Sequence, residues 1–303
     1  MMSARFLTVV LERAFNMRDG FGREIDYMRI SVIDSCNLNC YYCNPCDNNE
    51  HCHALNILSV KEVLCIVRAA TRLGIKHFRL TGGEPLLHPQ LDEMVLQIKK
   101  IPGVSSVSLT TNAVLLAQHA KWLKEAGIDS INVSLDTIDA SEYERITKKP
   151  LLEEVKHGIN AAIECGIRVK INVVLTPQTD VVALTRYVAK KGTDIRFIEM
   201  MPVGEGHTNG VEPYKKVIGT LSKLYGEPCR INTEKTKEIN SGNDKRKIPD
   251  NGPAEYYIFP ELGIRVGLIQ AIHGKFCATC NRIRVTADGR LMPCLGSSVT
   301  MDL

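Results

Sequence analysis

The chain has 303 residues, 44% of them apolar and 24% charged, with a net charge of +4. This composition fills the core of one large α/β domain or of two domains, and it excludes fibrous and intrinsically disordered classes. No long basic run is present, so no broad nucleic-acid surface is expected, and any anionic ligand must be met by a few placed cations. Eleven cysteines in a chain of this length, with no evident signal peptide, fit thiols kept reduced in the cytoplasm and given to metal better than a disulfide scaffold. No apolar run approaches the roughly 20 residues of a spanning helix, so no membrane partner is expected.

Residues 1–16 hold Phe6-Leu-Thr-Val-Val-Leu11 between Arg5 and Arg13, and read equally as a short helix, a weak targeting segment or sequence upstream of an alternative start at Met17. No chemistry is assigned to them. From Tyr27 onward, short β-branched runs alternate with helical patterns. Strands are predicted at Met28–Ile33, His77–Thr81, Ser106–Thr111, Ser130–Leu135, Arg168–Leu175 and Asp194–Glu199. Between them, helices are predicted at Val60–Leu73, Leu91–Lys100, Leu115–Ala126, Leu152–Cys165 and Val181–Lys191. Several end in a glycine suited to a left-handed C-cap, such as Gly74 and Gly127. Six βα units imply a parallel sheet with right-handed crossovers. Periodicity leaves open whether that sheet is flat or curled into a partial barrel; in a barrel, function collects at the C-terminal strand ends.

The first such end carries Cys36-Asn-Leu-Asn-Cys40-Tyr-Tyr-Cys43. Three thiolates from one short loop suit a 4Fe–4S cube, holding three irons and leaving the fourth open to a cofactor. A zinc knuckle and a chance cluster are the plainer alternatives, although zinc sites usually pair two close ligands with two more further along. The spacing resembles the radical S-adenosylmethionine (SAM) superfamily, whose open iron takes the amino and carboxylate groups of SAM. Two more loops belong to the same mouth. In Thr81-Gly-Gly-Glu-Pro85, Gly82 and Gly83 allow close backbone approach to a ligand, and Glu84 is placed to accept from an amine. Thr110-Thr-Asn112 and Asn132-Val-Ser134-Leu-Asp136 add small polar groups, which are also ordinary turn chemistry.

A parallel strand is normally buried on both faces and reads as continuous apolar sequence. Four strands here are interrupted by cations, at Arg29, Arg79, Lys170 and Arg196. Each buried charge requires an anionic partner or water. A core ion pair explains any one of them; the set points to an anionic ligand in the mouth of the sheet, and the arginine fork matches phosphate oxygens.

After about Met201 the pattern changes. Gly204–Gly210 is loop-like, Tyr214–Leu224 reads as a helix, and Thr233–Pro253, with Lys245-Arg-Lys247, reads as a solvated loop. Tyr256–Phe259, Gly263–Leu268 and Ile283–Thr286 predict a small β-rich extension. Within it stand Cys277-Ala-Thr-Cys280-Asn-Arg282-Ile283-Arg284 and, further on, Cys294. A zinc site completed by His273 and a second cluster with an open iron both remain open on spacing alone.

Both cysteine triplets, Gly82-Gly-Glu-Pro85, the opening Phe21-Gly-Arg23 with Tyr27-x-Arg29-Ile-Ser31, and the segment Phe276–Leu295 together resemble the GTP 3′,8-cyclase family of molybdenum cofactor biosynthesis. The match runs from about residue 17 to the last residues. It implies an incomplete (βα)6 TIM-like barrel with a small C-terminal β-rich extension. The predicted division is residues 1–16 without assigned role, 17–202 as the barrel and 203–303 as the extension. By resemblance, Cys36, Cys40 and Cys43 hold the first 4Fe–4S cluster, and Tyr42, Gly83, Glu84, Ser134 and Met201 line the SAM site. Cys277, Cys280 and Cys294 hold a second 4Fe–4S cluster that meets guanine, and Arg29, Arg79, Thr110, Lys170, Arg196, Arg282, Ile283 and Arg284 contact GTP. The implied chemistry is cleavage of SAM to a 5′-deoxyadenosyl radical, which takes hydrogen from ribose C3′ of GTP before C3′ closes on guanine C8. The implied partners are GTP, an electron donor such as flavodoxin or ferredoxin, and a downstream molybdopterin-precursor synthase in the cytoplasm. A homodimer is compatible with the resemblance.

The sequence departs from the family in that it ends at Leu303, whereas members continue to a C-terminal Gly-Gly that reaches the active site. His77 stands where lysine is common, Asn44 replaces a usual methionine, and Cys46 and Cys52 flanked by His51 and His53 have no family role. Two other functions stay open on the residues alone. One is a radical SAM enzyme modifying a peptide or natural product; the other is a non-catalytic metal- or cluster-binding regulator.

Overall fold

In the computed structural model, residues 17–43, 56–202, 210–231, 252–297 and 299–303 are described. The readings made for residues 1–16, Asn44, Cys46, His51, Cys52, His53, Gly204 and Lys245–Lys247 fall outside them.

The six predicted strands form as β1 (Tyr27–Ser31), β2 (His77–Thr81), β3 (Ser106–Thr111), β4 (Ser130–Ser134), β5 (Val169–Leu175) and β6 (Asp194–Glu199). Between them lie helices α1 (Val60–Arg72), α2 (Leu91–Lys99), α3 (Leu116–Glu125), α4 (Ala140–Thr147), α5 (Leu152–Glu164) and α6 (Val181–Lys190). Local chemistry sets the helix ends. Ser59 and Glu62 form a reciprocal capping box that starts α1, and Gly74 closes it at φ +91°. The unpredicted α4 begins at Asp139, whose carboxylate accepts from the Glu142 N–H at 2.8 Å. Only Tyr143, Ile146 and Thr147 of its eight residues are buried, too few for a helical apolar stripe to show.

The later segment gives a π-helical turn at Tyr214–Ile218, α7 (Gly219–Tyr225), β7 (Cys229–Ile231), β8 (Glu255–Ile258), β9 (Arg265–Ile269), β10 (Arg282–Val285), β11 (Arg290–Met292) and β12 (Met301–Asp302). These strands are distributed over both edges of the barrel sheet, in the order β12-β11-β10-β1-β2-β3-β4-β5-β6-β9-β8-β7. β10 joins β1 and β9 joins β6 in parallel, and each is bordered by antiparallel strands. β12 and β7 remain at opposite ends, so the sheet is not closed.

The sheet nevertheless curls. Five strands separate β10 from β6, and six flat spacings would put them about 29 Å apart, well past the ~8–10 Å over which charges act through salt solution. Yet the Arg196 charge on β6 helps push down the Arg282 guanidinium on β10, after the larger effect of burial. The two sides therefore face each other across a chamber.

Strand period assigns the faces. Met28, Phe78 and Val107 share one register row, and Ile30, Leu80, Leu109, Ile131 and Val169 another, all buried beneath the helices. The alternate residues make rows of Arg284, Arg29, Arg79 and Ser108, of Thr110, Asn132, Lys170 and Asp194, and of Ser134, Asn172 and Arg196. The cations that interrupt the strands thus occupy one polar face. The Ile283 side chain, paired with Met28, packs in the apolar core, because neighbours on a strand point to opposite faces, so only its backbone lies with Arg282 and Arg284.

Candidate active site

The first cysteine loop is fixed to the ends of β2, β3 and β4. Gly83 N–H donates to the Ile33 carbonyl at 2.8 Å and Glu84 N–H to that of Ser35 at 2.8 Å. A Cβ on Gly82 would meet the Ile33 carbonyl oxygen at 2.3 Å, and one on Gly83 the Ser35 oxygen at 2.1 Å. The close approach that these glycines permit is therefore to the chain's own backbone leading into Cys36. Glu84 is buried, and its carboxylate accepts from Thr111 Oγ1 and Asn112 N–H, both at 2.7 Å, and from Leu86 N–H at 3.0 Å. It locks the β2 and β3 ends together, a role that its position in the motif did not reveal.

Cys36, Cys40 and Cys43 are all free thiols; Cys36 and Cys43 are exposed and Cys40 half-buried. Leu38 N–H and the Asn112 amide approach Cys36 Sγ at 3.5 and 3.8 Å. Burial, then the charges of Asp136, Cys43 and Cys36, push the Cys40 thiol up to about 12. Thiols that disfavour each other's ionisation in this way gain from a shared cationic centre, which reverses each of those effects. The donor set thus fits an iron–sulfur group, with N–H groups already aimed at one sulfur.

Tyr42, between two of these cysteines, donates its hydroxyl to Asp136 at the end of β4, and Asp136 also accepts from the Val174 N–H at 2.7 Å. Burial raises the Asp136 carboxyl to about 6, against the opposing effects of its two donors. Ser134 is exposed and Met201 half-buried at the ends of β4 and β6, so both stand at the same rim as Gly83. Asp136 stands in the polar segment named at the end of β4, but its link to Tyr42 is not legible in sequence, because the partners are 94 residues apart.

Below the rim lie the cations. Arg79 Nε donates to the Tyr27 hydroxyl, and its Nη1 to Thr110 at 3.3 Å. Arg196 Nε donates to Asn172 Oδ1 at 2.9 Å. Gly267, in register with Arg196, makes room for that side chain, since a Cβ there would meet Arg196 Cγ at 2.8 Å. Lys170 is buried beside Asn132 and Asp194, and Asp194 is held by Arg265. Burial, then the charges of Arg284, Arg79 and Arg282, depresses the Arg29 guanidinium well below its usual range, with Tyr27 opposing them. Arg29 Nε and Arg282 Nε and Nη2 are buried without a hydrogen-bond partner among the described residues. Unsatisfied charged donors cost more than the ~1–3 kcal/mol of neutral ones, a cost that an anion with several acceptor oxygens would remove.

The second triplet closes the same side. Cys277 opens a 3-10 turn, Cys280 precedes β10, and Cys294 follows β11, and all three are free. Arg284 lies within electrostatic reach of Cys280 and Cys294, and Arg282 within reach of Cys280. Thiols and chamber arginines therefore lie on the same side of the sheet. His273 is not directed by these cysteines: its Nδ1 is paired with buried Glu199, which also accepts from Ile272 and His273 N–H at 2.7 and 3.1 Å.

A curled parallel sheet with a three-cysteine loop after its first strand defines a radical SAM protein. Residues 30–184 match the radical SAM superfamily model, and residues 193–303 match the family described as Molybdenum Cofactor Synthesis C. The chain is 37% identical over 282 residues to the GTP 3′,8-cyclase of Clostridium perfringens (strain SM101 / Type A), covering 92% of this chain and 83% of that one. It is 38% identical over 294 residues to the GTP 3′,8-cyclase of Pelotomaculum thermopropionicum, covering 95% and 86%. The chain belongs to the GTP 3′,8-cyclase family. Among solved structures, it resembles Streptococcus suis SuiB bound to S-adenosylmethionine, with a TM-score of 0.64 and 15% identity over 92% of this chain and 63% of that one. Native anSMEcpe with bound AdoMet gives 0.59 and 17% over 90% and 75%. At those identities the likeness is one of fold.

Proposed function

We propose that this chain converts GTP to (8S)-3′,8-cyclo-7,8-dihydroguanosine 5′-triphosphate, an early step of molybdenum cofactor formation. The observation that carries the reading is the convergence of Arg29, Arg79, Arg282 and Arg284 from three adjacent strands, with Arg282 and Arg284 within electrostatic reach of the second cysteine set. Cys36, Cys40 and Cys43 would hold one 4Fe–4S cluster, and Cys277, Cys280 and Cys294 a second. When bound, the first cluster and SAM together supply the one-electron chemistry that removes hydrogen from ribose C3′. The protein supplies placement. Tyr42, Gly83, Ser134 and Met201 lie at the rim where SAM would sit. Arg29, Arg79, Thr110, Lys170 and Arg196 would hold the triphosphate in the chamber, and Arg282 and Arg284 would lie beside the second cluster, where guanine would be held. Enclosure by a curled sheet keeps water from a reactive intermediate.

The reading divides the chain into a barrel at 17–202 and an extension at 203–303. It takes an electron donor such as flavodoxin or ferredoxin and a downstream molybdopterin-precursor synthase as partners, in the cytoplasm. Among the described residues no helix is long and apolar enough to cross a membrane. Anaerobically reconstituted protein is expected to form 5′-deoxyadenosine and the cyclised nucleotide when GTP is present and little of either without it. Turnover of SAM that ignores GTP and instead follows an added peptide would overturn the reading.

A further inference from the structure

Residues 18–24 form a tight turn ahead of β1, closed by the Arg18–Glu24 bridge and by Gly22 at φ +77°. Asp19 organises it, accepting from Phe21 N–H at 3.0 Å, from Arg23 N–H at 2.9 Å and from Arg23 Nε at 2.6 Å. The guanidinium held in this way is not spent within the turn. Its Nη1 reaches across 254 residues of sequence and donates to the Cys277 carbonyl at 2.7 Å. Two further bonds stitch the same regions together: Asn281 donates to Asp26 at 2.5 Å, and Tyr27 N–H donates to the Asn281 carbonyl at 3.2 Å. The segment carrying Cys277 and Cys280 is therefore held against the start of β1 from both ends.

We propose that Arg23, locked by Asp19, is a positioning residue of the second cysteine set: it orients Cys277 through its carbonyl and raises the reduction potential of the cluster those thiols carry. The inference rests on the two-cluster reading above. A bidentate fork is needed because one edge binds Asp19 while the other binds the carbonyl, a division of labour that lysine cannot reproduce. Arg23 lies within electrostatic reach of both Cys277 and Cys280, and its own guanidinium is strengthened first by Asp19 and then by those thiols. Hydrogen bonding and local charge set cluster potentials, so a charged donor on the Cys277 carbonyl favours the more negative, reduced form, with Asp19 offsetting part of its charge.

The test is an EPR-monitored redox titration of both clusters in holoenzyme carrying Arg23→Gln or Arg23→Lys, with iron counted on the same samples. In Arg23→Gln the potential of the second cluster is expected to move more negative while the first stays put, and Arg23→Lys is expected to return most of that shift. Selective loss of the second cluster in Arg23→Gln, to roughly four irons per chain rather than roughly eight, also supports the assignment, through its orienting half. Unchanged potentials and iron content in both variants overturn this proposal alone. A wild-type chain that never holds more than one cluster overturns it together with the two-cluster reading.

Discussion

Replacing Arg29 with methionine separates what the chamber does for folding from what it does for binding. The Arg29 guanidinium is depressed by burial and by three neighbouring arginines, with Tyr27 opposing them. A base whose affinity for its proton falls on folding is a charged group that the folded state disfavours, and arginine stays charged at every working pH. Exchanging such a charge for an apolar side chain of similar volume is commonly neutral or stabilising by about 1–4 kcal/mol. The ligand-free variant should therefore melt at the wild-type temperature or a few degrees higher. GTP loses by the same change. A charge-assisted bond to phosphate contributes about 1.5–3 kcal/mol, so the loss of Arg29 should weaken GTP binding roughly 10- to 150-fold. Scanning fluorimetry with and without GTP reads both quantities from one sample. Lower intrinsic stability with an undiminished GTP-induced shift would show that Arg29 is a structural ion rather than a ligand, and would refute the reasoning.

Other outcomes follow from the same geometry. In cluster-free protein, the Asp136 carboxyl at about 6 binds its proton more tightly folded than unfolded. Stability should therefore fall as pH rises from about 4 to about 6 and level off above, by up to about 3 kcal/mol, and Asp136→Asn should flatten that slope in urea titrations. Gly267→Ala places a methyl against Arg196 Cγ and the Tyr256 ring. Overpacking of this kind costs about 1–3 kcal/mol and should raise the KM for GTP, since Arg196 must move; an unchanged KM would exclude that contact.

Much of this site can be read from residues in order. β-branched runs locate β1 to β6, the loop spacing marks the first cysteine set, and cations within apolar strands identify the polar face. The remainder depends on pairings that local sequence does not encode. Nothing near Arg282 announces that its strand lies beside β1, or that β9 lies beside β6, because edge position is decided by which apolar surfaces remain uncovered after the barrel forms. Contacts spanning long stretches, such as Tyr42 with Asp136 and Arg23 with Cys277, are likewise invisible to spacing. Strand period alone places the Ile283 side chain on the face opposite Arg282 and Arg284. The small strands β7, β11 and β12 hold two or three residues each, too few to show a pattern.

The central claim is that the radical formed at the first cysteine set acts on ribose C3′ of a nucleotide held by the chamber arginines. Turnover of GTP deuterated at C3′ tests it most directly, with 5′-deoxyadenosine analysed by mass spectrometry. The account predicts that deuterium appears in 5′-deoxyadenosine, with the cyclised nucleotide formed alongside. Unlabelled 5′-deoxyadenosine, produced at the same rate whether or not GTP is present, would contradict it.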